Sequence, residues 1–134
     1  MIALLDTSIL IAAASEHEAA PDLSGFDSLA VSTLSWAELV RGLHAARDVG
    51  ELRRRLARYD ALRALFGAGL AFDDACAAAY DRVLGAVTDR EGTATAHMID
   101  RMIAATALVH GMTVIARDAS GFAHLDGVVP VETR

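Results

Sequence analysis

Lysine is absent from this chain: all twelve basic residues are arginine. That absence excludes a Walker-type phosphate loop and Schiff-base chemistry, which need a lysine amine. It also excludes any aspartyl-phosphate site that relies on a lysine. A single cysteine, Cys76, rules out an internal disulfide, a thiolate zinc finger and a CxxC redox pair. The only prolines are Pro21 and Pro130, so nothing breaks the long middle of the chain. Apolar runs are short: Ile9–Ala14, among the longest, falls far below the about 20 residues of a membrane span. Met1–Leu5 is apolar, but Asp6 interrupts it and no basic residue precedes it, so it does not read as a secretory signal. The cytoplasm is the expected compartment.

What is present describes one globular domain over residues 1–134, with 54% apolar and 22% charged residues. No internal repeat or low-complexity linker divides it. The pattern predicts strands at Met1–Leu5, Leu29–Val31, Ala68–Phe72, Thr113–Ala116 and Val128–Val131. Helices are predicted at Thr7–Ala14, Ser35–Ala46, Val49–Phe66, from Asp73 or Asp74 to about Val87, and at Thr95–His110. In the second of these Trp36, Leu39, Val40 and Leu43 share a face; in the third Leu52, Leu56, Tyr59, Leu62 and Phe66 form the apolar stripe. Strands alternating with helices indicate an α/β fold, a mainly parallel sheet covered on both faces.

Four acidic residues occupy related places on that map. Asp6 follows the first strand, Glu38 lies early in the helix after the second, and Asp118 follows the fourth. Asp100 opens the helix that is apolar almost all round. Open parallel sheets bind ligands at the carboxyl ends of their strands, so topology alone sends three of the four to one location. Each also has a local reading. Asp6 suits a helix N-cap, Ser35-x-x-Glu38 a capping box, and Asp118 a turn before Ser120 and Gly121. Asp100 differs, because an acid entering a buried helix needs a partner, and Arg101 points about 100° away around the helix. Capping accounts for the acids separately but not for their convergence. Clustered carboxylates repel, and a hard divalent cation such as Mg²⁺ or Mn²⁺ resolves the repulsion. The five histidines show no zinc-binding spacing.

The segments Leu4-Leu5-Asp6-Thr7-Ser8-Ile9-Leu10-Ile11 and Ser35-Trp36-Ala37-Glu38-Leu39-Val40-Arg41-Gly42 carry a family resemblance. So do Asp100-Arg101-Met102-Ile103-Ala104-Ala105-Thr106-Ala107 and Val114-Ile115-Ala116-Arg117-Asp118. In order, spacing and total length the chain resembles the PIN-domain family, and specifically the VapC-type toxins of bacterial toxin–antitoxin pairs. The resemblance implies a three-layer α/β/α sandwich, here with a mainly parallel five-stranded sheet. It implies a Mg²⁺- or Mn²⁺-dependent ribonuclease that leaves a 3′-hydroxyl and a 5′-phosphate. The acidic set maps onto Asp6, Glu38, Asp100 and Asp118, with Asp6 and Asp100 holding metal and the other two completing the site. The hydroxyl after the first acid maps to Thr7 or Ser8, orienting Asp6 or a metal-bound water. A cognate VapB-like antitoxin and a homodimer are the implied partners besides RNA. Two positions depart from the family pattern: Ala116 stands where Thr is frequent, and Gly121 where many members carry a second Asp. Asp118 then supplies the fourth charge unaided.

A net charge of −6 is unusual for an RNA binder, but six of the twelve arginines lie between Arg47 and Arg63. Arg54 and Arg58 are candidate contacts to RNA or antitoxin; a solvated helix face is the plainer reading of the same run. The two helices between Ser35 and Phe66 are the expected antitoxin wall, with Trp36, Leu39 and Leu43 available where the core does not take them. Phosphatases of the haloacid-dehalogenase type and phospho-receiver modules also place Asp after the first strand. The former want a second Asp where this chain has Ser8, and both usually need the missing lysine. Two further readings compete with the toxin: a non-enzymatic PIN-like scaffold for RNA or protein, and a PIN ribonuclease outside toxin–antitoxin systems.

Overall fold

A computed structural model describes all 134 residues. The elements run β1 (Ile2–Leu5), α1 (Thr7–Ala13), β2 (Ser28–Val31), α2 (Thr33–His44) and α3 (Val49–Phe66). They continue with α4 (Asp74–Asp89), α5 (Met98–His110), β3 (Thr113–Ala116), a 3₁₀ turn (Ser120–Phe122) and β4 (Val131–Thr133). The strands form one parallel sheet in the order β2-β1-β3-β4. The two central strands are apolar runs buried on both faces, Ala3–Leu5 and Thr113–Ala116, as a doubly covered parallel sheet requires.

Alternation along those strands divides the core in two. Leu4, Val114 and Ala116 pack with Val83 and Val87 of α4 and with Ile103, Ala104 and Ala107 of α5. Ala3, Leu5 and Ile115 pack on the other face with Ile9 and Leu10 of α1, Trp36 of α2 and Leu62 of α3. The result is the expected three-layer α/β/α sandwich. Helix α5 is buried along Ile103–Ala107 because it has apolar neighbours on every side.

The sheet has four strands, not five. Ala68–Phe72 contributes a single parallel bridge, Leu70 to Ser32, closed by Leu70 N to Val31 O at 2.8 Å and Thr33 N to Leu70 O at 3.0 Å. Beyond Ser32 the backbone turns into α2, so the pairing cannot extend past Leu70. The last strand also begins later than its apolar run. Val128 and Val129 donate to Leu125 O, closing a turn through Gly127 at φ 77°, and the ladder starts with Val131 opposite Val114.

Three helices depart from the sequence pattern: α5 begins at Met98, not Thr95, because residues 94–97 turn and His97 enters the helix in the left-handed region. Helix α2 starts at Thr33 because Ser32, not Ser35, is its N-cap, accepting from the Leu34 amide at 3.1 Å. Helix α3 has its predicted bounds but not its predicted burial: Leu62 is buried, whereas Leu52 and Leu56 are exposed. Only its C-terminal half reaches the core, where Tyr59 meets Trp36 edge to face at 6.0 Å.

The Leu70 bridge depends on a close backbone approach at Gly69. A Cβ there would fall 2.6 Å from Thr33 N and 2.9 Å from the Ser32 carbonyl carbon, and neither backbone atom can give way. Gly69→Ala is expected to destabilise the protein by about 1–3 kcal/mol. Gly85 sits in α4 with open space around its Cα, so Gly85→Ala is expected to stabilise by about 0.5–1 kcal/mol. Denaturant melts of the two variants should therefore move in opposite directions; equal shifts would contradict the assigned approach.

Candidate acidic active site

The strand order reverses between β1 and β3, one leading out to β2 and the other to β4. The carboxyl edge at such a reversal opens a crevice, and Asp6 and Asp118 lie just beyond its two strands. The Asp6 amide donates to Ile115 O at 2.8 Å, which stitches the end of β1 to β3. Its carboxylate caps α1: Oδ2 accepts from the Ser8 amide at 3.3 Å and the Ser8 hydroxyl at 2.6 Å. Ser8 Oγ in turn accepts from the Arg117 amide at 3.1 Å. The second oxygen, Oδ1, is buried with no hydrogen-bond partner. Capping and site duty therefore coexist at Asp6, since one oxygen does each.

Glu38 is not part of a capping box. Ser35 lies inside α2, buried, with its hydroxyl 3.1 Å from Thr7 Oγ1. Thr7 Oγ1 donates to Glu38 Oε1 at 2.7 Å, and Glu38 Oε2 lies 3.6 Å from an exposed Arg41 guanidinium nitrogen. The two hydroxyls after Asp6 thus divide the work: Ser8 positions Asp6, and Thr7 positions Glu38 from the neighbouring element.

Asp100 enters from α5, in the first turn, half-buried, with His97 Nδ1 3.8 Å from its Oδ2. His97 is the N-cap of that helix in the left-handed region (φ 51°) and offers no side-chain cap. Asp100 rests against Gly121: a Cβ at position 121 would stand 2.7 Å from the Asp100 Cγ. The glycine that departs from the family pattern is therefore the seat of a site carboxylate. Asp118 sits at the rim, exposed, its oxygens accepting from the Ser120 amide at 2.9 Å and the Ser120 hydroxyl at 3.1 Å. Those bonds hold its carboxyl below the usual range.

The other three acids act on Asp100. Burial pushes the Asp100 carboxyl up to about 6; the charges of Asp6 and Glu38, and more weakly Asp118, push the same way, against His97. An orphaned buried oxygen on Asp6 among mutually repelling carboxylates suits a hard divalent cation. No three of these groups converge tightly enough to enclose an ion. The arrangement thus fits a cation held by one or two carboxylates that keeps several waters, as Mg²⁺ does.

Arg58 lines a cleft of about 420 Å³ beside the acids, together with Thr7, Glu38, Leu39, Arg41 and Tyr59. Arg54 does not reach that cleft; it lines a separate groove with Glu16, His17 and Arg58. Trp36 is buried and out of a partner's reach, covered by Tyr59 and by Arg63 at 5.1 Å, whereas Leu39 and Leu43 are half-buried. Sequence reasoning misses His97 and Arg41. Each stands three residues from a site acid on the same helical face, and that spacing is the signal that finds them.

Acids gathered at the reversal of a parallel sheet place the molecule among α/β proteins with an acidic, cation-compatible crevice at the carboxyl edge. More narrowly, the chain belongs to the PIN-domain family, whose sequence model matches residues 3–128. Solved structures share its fold. It is similar to VapBC-5, a member of the VapBC family of toxin–antitoxin systems from Mycobacterium tuberculosis. That chain is 28% identical with a TM-score of 0.79, over 98% of this chain and 96% of the other. FitAcB from Neisseria gonorrhoeae is 26% identical with a TM-score of 0.75, over the same shares of each chain. VapBC2 from Rickettsia felis, bound to a DNA fragment from its promoter, is 19% identical with a TM-score of 0.79 and shows the fold alone; it matches 100% of this chain and 99% of its own. No curated protein matches the chain.

The raised Asp100 carboxyl has a sign that stability measures. Its folded value, about 6, lies above the unfolded value of about 3.9, so between those limits the folded state holds the extra proton. Asp100 therefore stabilises the ion-free protein least at neutral pH, and its contribution improves as pH falls through about 6. Asp100→Asn should raise the melting temperature of chelator-treated protein at pH 7 and flatten its change between pH 7 and 5. A lowered melting temperature at pH 7, with the wild-type pH response retained, would contradict this electrostatic account.

Proposed function

We propose that residues 1–134 form one PIN-like nuclease domain: a Mg²⁺-dependent endoribonuclease, with Mn²⁺ as a substitute, acting as the toxin of a toxin–antitoxin pair. The observation that carries this reading is the buried, unpartnered Oδ1 of Asp6, together with Asp100, whose carboxyl is raised first by burial and then by the charges of Asp6, Glu38 and, more weakly, Asp118. A cation bound among them would offset that repulsion and hold Asp100 as a carboxylate. Membership of the PIN-domain family and the likeness to VapBC-5 support the toxin half of the proposal.

Asp6 and Asp100 would hold the ion, with Glu38 and Asp118 completing the site or orienting its waters. When bound, the ion lowers the pKa of water and offsets charge on the attacked phosphodiester. The chain's own residues do the positioning. Ser8 fixes Asp6, Thr7 fixes Glu38, and Gly121 leaves Asp100 its place. The cleft beside Glu38 is the proposed berth for the C-terminal segment of a VapB-like antitoxin, whose arginine would approach the acids. Arg58 would then contact antitoxin or RNA within that cleft, and Arg54 would do so from the adjoining groove. We assign the protein to the cytoplasm as a homodimer, as the family likeness implies.

RNA cleavage by the purified protein with and without chelator tests the proposal. Partners that position metal ligands typically contribute about 10–100-fold, so Ser8→Ala and Thr7→Val should each lower the rate by that factor. Asp6→Asn and Asp100→Asn remove proposed ligands themselves and should cost more than about 100-fold, with circular dichroism unchanged. Full activity of Asp100→Asn, or cleavage that survives chelation, would refute the assignment. A non-enzymatic scaffold would instead bind RNA, cleave none, and show no Mn²⁺ uptake that Asp6→Asn removes.

A further inference from the structure

Four carboxylates at one edge of the sheet, with a single divalent ion bound among them, would still leave a negative pocket, and RNA is a polyanion. Some cation must therefore face the strand at the point where it crosses the acids. Five of the twelve arginines of this chain are committed elsewhere. Arg55 donates to Gly42 O at 2.6 Å and pairs with Glu51, and Arg63 lies over Trp36. Arg101 is buried against Thr93 O, while Arg90 and Arg117 hold backbone carbonyls.

Arg41 is different. Its side chain is 75% exposed, and its one charged contact is Glu38 at 3.6 Å, beyond hydrogen-bond length. An exposed pair of that kind is weak and easily exchanged for another anion. Arg41 also stands where cavities meet. With Glu38 it lines the cleft of about 420 Å³ that runs towards Arg58 and Tyr59. The same two residues line a second cleft of about 290 Å³ with His97 and Asp100, and a smaller hollow of about 160 Å³ beside Ile99. The two larger clefts thus share the Glu38–Arg41 ridge; both reach Glu38, and the second also reaches Asp100.

We propose that Arg41 is the phosphate-binding residue that carries a single-stranded RNA segment across this ridge, from the Arg58–Tyr59 cleft into the His97–Asp100 cleft. The inference rests on the nuclease reading above and specifies how its substrate lies. The planar guanidinium exchanges Glu38 for a phosphate oxygen pair, a geometry that lysine matches only as a point charge. Tyr59, half-buried in the first cleft, offers a ring on which a base stacks.

The test uses a short fluorescent single-stranded oligoribonucleotide and the full chain carrying Asp100→Asn, which separates binding from cleavage. Adding Arg41→Ala should weaken binding about tenfold, the loss expected of one charge-assisted contact. It should also lower the slope of log affinity against log salt by about 0.7, one phosphate's share for a single strand. Arg41→Lys should restore the slope but not the full affinity. In the cleaving protein, Arg41→Ala should raise KM more than it lowers kcat, with Mn²⁺ affinity not lowered and melting temperature unchanged. Affinity and slope that Arg41→Ala leaves unaltered would overturn the assignment of Arg41, while metal-dependent cleavage by the wild type would leave the nuclease reading standing. If the wild type binds no RNA, both fall.

Discussion

Repulsion among carboxylates held at one end of the sheet is the constraint on which the rest of this molecule turns. Two unit charges about 6 Å apart at an effective dielectric of about 20 oppose each other by roughly 3 kcal/mol. Burying one large aliphatic side chain stabilises by roughly 1.5–3 kcal/mol. A repulsive pair at such a separation offsets about one core residue. The two apolar layers, with Leu4, Leu5, Ile9 and Ile115 fully buried, are what hold the acids against that opposition. Local hydrogen bonds set the aim: Ser8 and the Arg117 amide on the Asp6 side, Thr7 on the Glu38 side, Ser120 on Asp118.

The topology explains why these acids meet although they are scattered along the chain. A parallel sheet whose order reverses between β1 and β3 leaves a gap at the carboxyl ends of those two strands. Asp6 and Asp118 follow them directly. Helix α5 presents its N-terminal turn at the same edge, and α2 starts there after β2. The positive end of the α5 dipole favours a negative charge at Asp100, which partly counters the neighbouring acids.

Much of this is legible in the sequence, because period and turn chemistry are local properties. The alternation of strands and helices implies three layers, and the acids after strands one and four point to one edge. Burial is harder to read. The apolar stripe of α3 is regular to its N-terminus, yet Leu52 and Leu56 are exposed because only the far half of that helix meets the core. Ala68–Phe72 has strand composition, but its pairing cannot extend past Leu70 because the backbone opposite turns into α2 beyond Ser32. Ser35-x-x-Glu38 has the spacing of a capping box, but the backbone already finds its cap at Ser32. Adjacency cannot decide whether Thr7 or Ser8 serves Asp6, since the partner of Thr7 is thirty-one residues away. Gly121 reads as the loss of an acid, yet its missing side chain is the room that Asp100 occupies.

The central claim is that the orphaned oxygen of Asp6 and the carboxylate of Asp100 face a common cation. A crystal soaked in Mn²⁺ and measured at the manganese absorption edge tests it most directly. The account predicts an anomalous peak within about 2.2 Å of oxygens from both residues, as hard-cation coordination requires, and its loss in Asp6→Asn. A peak bound elsewhere, or none between Asp6 and Asp100 at saturating Mn²⁺, would contradict it.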